Sequence, residues 1–268
     1  GYIYLRRGAG AFVTDLPPAH LLLVQTQDDP ALQTEVAPIQ QPLKNKQLEA
    51  PVAVPFQPYA VAFDQFPHQV WARQLSRSWR DPSSDLLWRA DPFGHYPLRE
   101  AISWHLREWR GISCAPEQII VTCGIGDSLD IILRAIGGIG ENVWIEDPGF
   151  AEIRSAIRAN GYVPVAMPVD ENGLDVDNAA RRSAKARTAI VTPSRQFPLG
   201  MALSLPRRLA LLDWAQNNGS WIIEDDFDSE YRFSGQPLSP LMALDESDSV
   251  IYLGSFSKVM LRSLRLGY

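Results

Sequence analysis

From residue 119 onward the chain alternates short, uninterrupted apolar runs with segments of helical spacing. The runs lie at 119–122, 143–146, 163–165, 189–192, 221–224 and 250–253, and most are rich in β-branched residues. Continuous rather than alternating hydrophobicity suits strands buried on both faces. Amphipathic stretches fall near 127–137, 150–160, 175–184 and 206–217, with two more at 66–80 and 97–110. In 97–110, Leu98, Ile102, Leu106 and Trp109 share one face, and Arg99, Glu100, Arg107 and Glu108 the other. Pro97 fits the first turn of that helix and Gly111 its stop. Strand and helix in turn predict an α/β fold with a mostly parallel mixed sheet flanked by helices. In such sheets ligands gather where strands end, so chemistry is expected in the loops after these runs.

The first 57 residues have a different texture. Two apolar stretches within 1–13 flank Arg6-Arg7-Gly8-Ala9-Gly10, the pattern of a small hairpin with a basic tip. Residues 14–57 hold Pro17, Pro18, Pro30, Pro38, Pro42, Pro51 and Pro55 without a sustained period. Proline removes backbone donors, so this stretch reads as a linker and 58–268 as the main domain. The chain has 268 residues, 46% hydrophobic, with a formal charge of −6. That composition excludes a fibre or a disordered tail, and the charge alone does not mark a nucleic-acid binder. Cys114 and Cys123 give no disulfide framework and suit a cytoplasmic protein. No apolar run is long enough to span a bilayer, so no membrane partner is expected. The chain begins at Gly1 rather than Met and reads as part of a longer protein.

Four expected strand ends carry unusual residues. After 119–122 come Cys123-Gly124-Ile125-Gly126-Asp127-Ser128 and an apolar helix. Glycines there let backbone N–H groups converge at the positive end of a helix, a candidate phosphate cradle, although such a turn can need glycine for geometry alone. After 143–146, Asp147-Pro148-Gly149-Phe150 is either a tight turn with a core aromatic or an aromatic lid on a flat ligand. After 221–224, Asp225-Asp226-Phe227-Asp228 crowds carboxylates where burial demands a cationic partner. They could cap a helix or bind magnesium, but no His or Cys lies nearby to support a metal. After 250–253, Gly254-Ser255-Phe256-Ser257-Lys258 sets an amine beside a buried strand, with Arg262 and Arg265 following. A cradle, a flat apolar face, a carboxylate, an amine, two hydroxyls and an arginine form the set that pyridoxal 5′-phosphate requires. Its aldehyde condenses with a lysine, its phosphate takes N–H, hydroxyl and guanidinium donors, and a carboxylate keeps its ring nitrogen protonated. A dinucleotide would instead need a G-x-G-x-x-G turn, and the chain has none.

The stretches FPHQVWARQLSRSWR, DPFGHYPLREAI, EQIIVTCGIGDSLD, VWIEDPGF, VTPSRQFPLG, LPRRLALLDWA, IIEDDFDSEYRF and LGSFSKVMLRSLRLGY carry a resemblance. In order and spacing they resemble the large domain of the fold-type I, pyridoxal-phosphate-dependent aminotransferases. They are most similar to the aminotransferase-like half of the MocR/GabR-type regulators, a branch of the GntR transcription factors. The opening GYIYLRRGAGAFV resembles the wing that ends a GntR winged-helix domain. The resemblance implies three parts: wing residues 1–13 with Arg6 and Arg7 facing DNA, a proline-rich linker over 14–57, and a cofactor-binding large domain over 58–268, cut before the C-terminal small domain. It implies Lys258 as the imine lysine and Asp225, 33 positions earlier, as the ring-nitrogen partner. It further implies Gly124, Ile125 and Gly126 as amide donors to the phosphate, Ser255, Ser257 and Arg265 completing that site, and Phe150 stacked on the ring.

Several positions depart from the family's pattern. Phe227 stands where a tyrosine usually reaches the cofactor's phenolic oxygen, a contact worth roughly 1.5–3 kcal/mol. Phe197 takes the place of an asparagine, Arg195 that of a frequent histidine, and Arg89 that of a common tyrosine. Ile125 lacks the common threonine hydroxyl, and Gly126 lacks a glutamine side chain. These losses argue against efficient transamination but not against cofactor binding. The expected function is therefore a cytoplasmic, homodimeric transcriptional regulator that binds DNA and senses an amine or amino-acid effector at the Lys258 imine. The alternative is a working class I/II aminotransferase. A third reading is a small-molecule scaffold without an imine.

Overall fold

The computed structural model describes residues 3–6, 10–13, 62–88, 91–231 and 238–268. The chain divides into two units, 1–57 and 58–268. In the first, β1 (Ile3–Arg6) pairs antiparallel with β2 (Gly10–Val13), with Ile3 opposite Val13 and Arg6 opposite Gly10. This is the expected hairpin, with Arg6 closing its first strand. Arg7 and the proline-rich stretch 14–57 lie outside the described residues, as does Arg89.

The second unit is built on a six-stranded sheet of order β5-β4-β3-β6-β7-β8. Its strands are β3 (Asn142–Asp147), β4 (Val163–Asp170), β5 (Gly173–Leu174), β6 (Thr188–Val191), β7 (Trp221–Asp225) and β8 (Val250–Leu253). All pairings are parallel except the short β4–β5 turn-back. The apolar runs after 122 thus mark strands as expected, and β4 extends well past its predicted end. Pro164 and Pro168 are tolerated in β4 because β5 borders its far side only at Val169 and Asp170.

The run at 119–122 is the exception. It forms no strand: Thr122 alone makes an antiparallel bridge to Gly267, and Val121 N–H donates to Phe93 O at 2.9 Å. A 3-10 turn, Pro116–Gln118, precedes it and a helix begins at Ile125, and beyond that bridge the run pairs with no strand of the sheet. Its apolarity reports burial instead, since Ile119 packs with Ile102, Leu106 and Ile112.

Helices cover both faces of the sheet. On one side, α4 (Ile125–Ile136) and α5 (Ala151–Ala159) bury Leu129, Leu133, Ile153 and Ile157 against Val143, Ile145, Ile190 and Ile223. On the other, α6 (Val176–Arg182) and α7 (Leu205–Asn218) pack on Trp144, Met167 and Ile222. Neighbouring strand residues such as Trp144 and Ile145, or Ile222 and Ile223, serve opposite faces, which is why these runs are continuously apolar. The remaining helices are α1 (His68–Arg80), α2 (Ser84–Trp88), α3 (Tyr96–Arg110) and α8 (Leu241–Leu244). Pro97 sits in the first turn of α3 and Gly111 caps it with a φ of 68°. Two residues of that helix defy its amphipathic pattern: Trp109 is exposed, and Arg99 is buried. Arg99 is kept inside by donating to Gly94 O and Pro116 O and by pairing with Asp91. Buried Arg208 of α7 likewise donates to the carbonyls of Leu203, Pro193 and Ser239. Among the described residues no helix is long and apolar enough to cross a membrane.

Trp144 has no exposed surface, stacks on Trp214 at 4.1 Å between ring centres, and donates its indole N–H to Ser183 O. Trp144→Ala is expected to cost ~3–5 kcal/mol. Urea denaturation followed by circular dichroism measures this as a lowered midpoint with an unchanged slope.

Candidate cofactor site

The acidic run at the end of β7 is sorted by strand alternation. Glu224 points to one face, where its carboxylate accepts from Leu241 N–H at 2.9 Å and Met242 N–H at 3.0 Å and so caps α8. Asp226 shares that side: it lies 2.8 Å from Arg110 Nε and accepts from the Ser229 and Tyr252 hydroxyls. Asp225 takes the opposite side with Ile223, 5% exposed, and lines a cavity of about 260 Å³.

That cavity gathers residues from four loops. Gly124, Ile125 and Gly126 bring the first turn of α4 to its wall, and Phe150 brings the N-terminus of α5. Phe227 follows Asp225, and Ser255, Ser257, Lys258 and Arg265 come from the segment after β8. All ten residues singled out from the sequence for a cofactor therefore surround one space. Arg262 and Glu152 also line it.

The anion end is shaped by close backbone approach. Gly124 has a φ of 100°, and a Cβ built there would lie 3.4 Å from the Arg265 guanidinium. A Cβ on Gly267 would fall 2.8 Å from Gly124 Cα. Gly267 is therefore needed for space, and Gly124 for its positive φ. Gly267 bridges both Thr122 and Ser255, which fixes the segment carrying Ser255, Ser257 and Arg265 against the start of α4. Asp127 accepts from Cys123 N–H at 2.8 Å at the same helix end. The other first-turn N–H groups are unused within the helix.

The aromatic wall is a three-ring cluster. Phe150 stacks on Phe197 at 3.8 Å with 12° between planes, and Phe227 meets both rings edge-on. Sequence reasoning picked out Phe150 and Phe227 but missed that Phe197 backs the stack. It also missed what holds the stack. Buried Gln196 donates to Pro148 O at 2.8 Å and Phe197 O at 2.7 Å, and Thr192 donates to Glu146 through both hydroxyl and backbone.

Electrostatics single out Asp225 and Lys258. Burial pushes the Asp225 carboxyl up to about 8, with the neighbouring Asp226, Glu146 and Asp228 charges adding to the shift. Burial also lowers the Lys258 amine, helped by Arg262 and opposed by Asp228 and Asp225. A buried carboxyl and a softened amine around one cavity are what a cationic, carbonyl-bearing ligand would use.

A family model described as aminotransferase class I and II matches residues 62–268. The chain belongs to that family. Within it the resemblance to MocR-type regulators holds. The chain is 36% identical, over its full length and 54% of the relative's, to a probable rhizopine catabolism regulatory protein, MocR, of Rhizobium meliloti. It is 39% identical to the pyridoxine biosynthesis regulator PdxR of Corynebacterium glutamicum, covering 71% of this chain and 41% of that one. Among solved structures, the α-aminoadipate aminotransferase LysN of Thermus thermophilus, complexed with N-(5′-phosphopyridoxyl)-L-leucine, matches with a TM-score of 0.69 and 30% identity. That match covers 79% of this chain and 54% of that one. Kynurenine aminotransferase of Pyrococcus horikoshii matches with a TM-score of 0.69 and 28% identity over 75% of this chain and 52% of that one. The chain thus spans about half the length of these relatives.

The raised carboxyls give a signed pH dependence. Asp225, at about 8, and Glu146 and Glu224, each at about 7, keep protons in the folded chain that the unfolded chain releases near 4. The folded form binds more protons across that window, so stability falls as pH rises from about 4 to about 8. Thermal melts of cofactor-free protein are expected to show this decline, and Asp225→Asn to flatten it.

Proposed function

We propose that this chain is the cofactor-binding sensor part of a cytoplasmic transcriptional regulator. It holds pyridoxal 5′-phosphate through an imine on Lys258 and responds to an amine or amino acid. The observation that carries this reading is the single cavity walled by Asp225, Lys258, the start of α4 and Arg265.

The residues fit the group. Asp225 is a desolvated carboxyl lacking a strong positive neighbour, and a protonated ring nitrogen would supply one. The start of α4 and the Arg265 guanidinium beside Gly124 line the same cavity and suit a phosphate, with N–H donors and a cation together. When bound, the cofactor supplies an electron sink for bonds at the carbon attached to its imine nitrogen. The chain's own residues do the rest. The lowered proton affinity of Lys258 leaves more of its amine neutral and nucleophilic. Ser255, Ser257 and Arg265 hold the phosphate with the amides of Gly124, Ile125 and Gly126. Phe150, one face covered by Phe197, offers the other to the pyridine ring. Neither Phe197 nor Phe227 can donate to the phenolic oxygen, which favours sensing over turnover.

The regulatory proteins among the relatives, one of them HTH-type, support the regulatory reading. In it, the β1–β2 hairpin is the wing of a DNA-binding domain, with Arg6 and Arg7 near phosphates, and the active form is a homodimer. The aminotransferases among the solved neighbours support a second reading, a working transaminase. One measurement on the intact protein tests the imine that both readings share, and a second separates them. Added pyridoxal phosphate is expected to give a yellow imine band that Lys258→Ala abolishes. The protein is expected to shift its own upstream DNA in a salt-dependent manner that the cofactor or an amine alters. Keto acid release at enzyme-like rates without DNA binding would favour the transaminase.

A further inference from the structure

A second cavity, of about 150 Å³, lies where the end of α3 meets the turn after β7 and the loop after β6. Among the described residues it shares no lining residue with the first. A dry cavity of roughly that volume can hold a benzene ring, so this one has room for a small organic ligand. Part of its wall is aromatic: His105 and Trp109 of α3, Tyr252 of β8, and Tyr268. The His105 and Trp109 ring centres lie 6.2 Å apart, and those of Tyr252 and Tyr268 6.5 Å apart. Trp109 is 66% exposed, against the amphipathic pattern of its helix, so an indole that solvent reaches lines the space.

The rest of the wall is charged, and its charges do not balance. Arg110 lies 2.8 Å from Asp226 and donates to Ser194 Oγ at 3.0 Å. Arg195 lies 3.4 Å from Asp228 and donates to Tyr231 O at 2.6 Å. Both guanidiniums are thus taken up. Glu230 also lines the cavity, and among the described residues its carboxylate makes no ion pair. Asp226, whose partners Arg110, Ser229 and Tyr252 all line the cavity, is buried with its Oδ1 lacking a donor. Three carboxylates therefore stand against two guanidiniums. His105 does little to restore the balance, since burial lowers its affinity for a proton. We propose that this cavity binds a small organic ammonium ion, with Glu230 as its counter-ion and the Trp109 ring as its main apolar contact. A cation gains from both the carboxylate and the ring quadrupole. An anion would meet surplus negative charge, and a neutral ligand would leave that charge uncompensated.

The probe is tetramethylammonium, which has no N–H and cannot form an imine, so the result is independent of Lys258 and of the cofactor. Saturation transfer from the intact protein to its methyl protons, titrated by proton NMR, reads binding. Tert-butanol serves as a neutral ligand of similar shape, and acetate as an anion. Transfer is expected to tetramethylammonium and not to the other two. Glu230→Gln is expected to weaken binding about tenfold, and Glu230→Asp to recover most of it. Trp109→Ala, at an exposed position where folding is not at stake, is expected to weaken it about threefold. Binding that is undiminished in both Glu230→Gln and Trp109→Ala overturns the proposal. Equal transfer to tert-butanol, which would mean a merely apolar cavity, overturns it, and so does transfer to acetate alone, which would mean that the arginines rule the site. Protein that binds tetramethylammonium as expected but never forms the yellow band overturns the proposed function and leaves this site standing.

Discussion

The structure turns on one constraint: a carboxyl at the end of a central parallel strand has to be buried, and something positive has to be brought to it. Asp225 is the last residue of β7, flanked by β6 and β8. Desolvation there favours the neutral acid. Among the described residues the Lys258 ammonium is the cation that pulls the other way, and its pull ranks below burial and the acidic neighbours, so a cationic ligand would favour the charged form. The cavity, the glycine cradle and the aromatic wall are arranged around that carboxyl.

The strand alternation at β7 makes the arrangement possible. Adjacent carboxylates leave the sheet on opposite faces, so Glu224 and Asp226 are absorbed by a helix cap and an arginine pair while Asp225 is not. The same run of acids is thus paired inside the fold on one side and faces a cavity on the other. The Phe150–Phe197 stack and its Gln196 tether hold the apolar wall in place, so that this wall is formed before any ligand arrives.

Much of this was legible in the sequence. Continuous apolar runs gave the parallel strands because those strands are covered on both faces, and the residues just past them gave the cavity's lining. The failures have physical causes. The 119–122 run looked like a strand because burial and strand formation share a hydrophobic signature, and only the pairing partner distinguishes them. Arg99 broke the α3 pattern because three acceptors make a buried arginine tolerable. The Gln196 tether was invisible because it joins loops distant in sequence, and hydrogen bonds between loops leave no period.

The account is tested most directly by adding pyridoxal phosphate to the intact protein, reducing with borohydride, and locating the pyridoxyl group by mass spectrometry. The account predicts one adduct, on Lys258, that becomes far weaker in Asp225→Ala at the same cofactor concentration. An adduct spread over surface lysines, or one on Lys258 indifferent to Asp225, would contradict it.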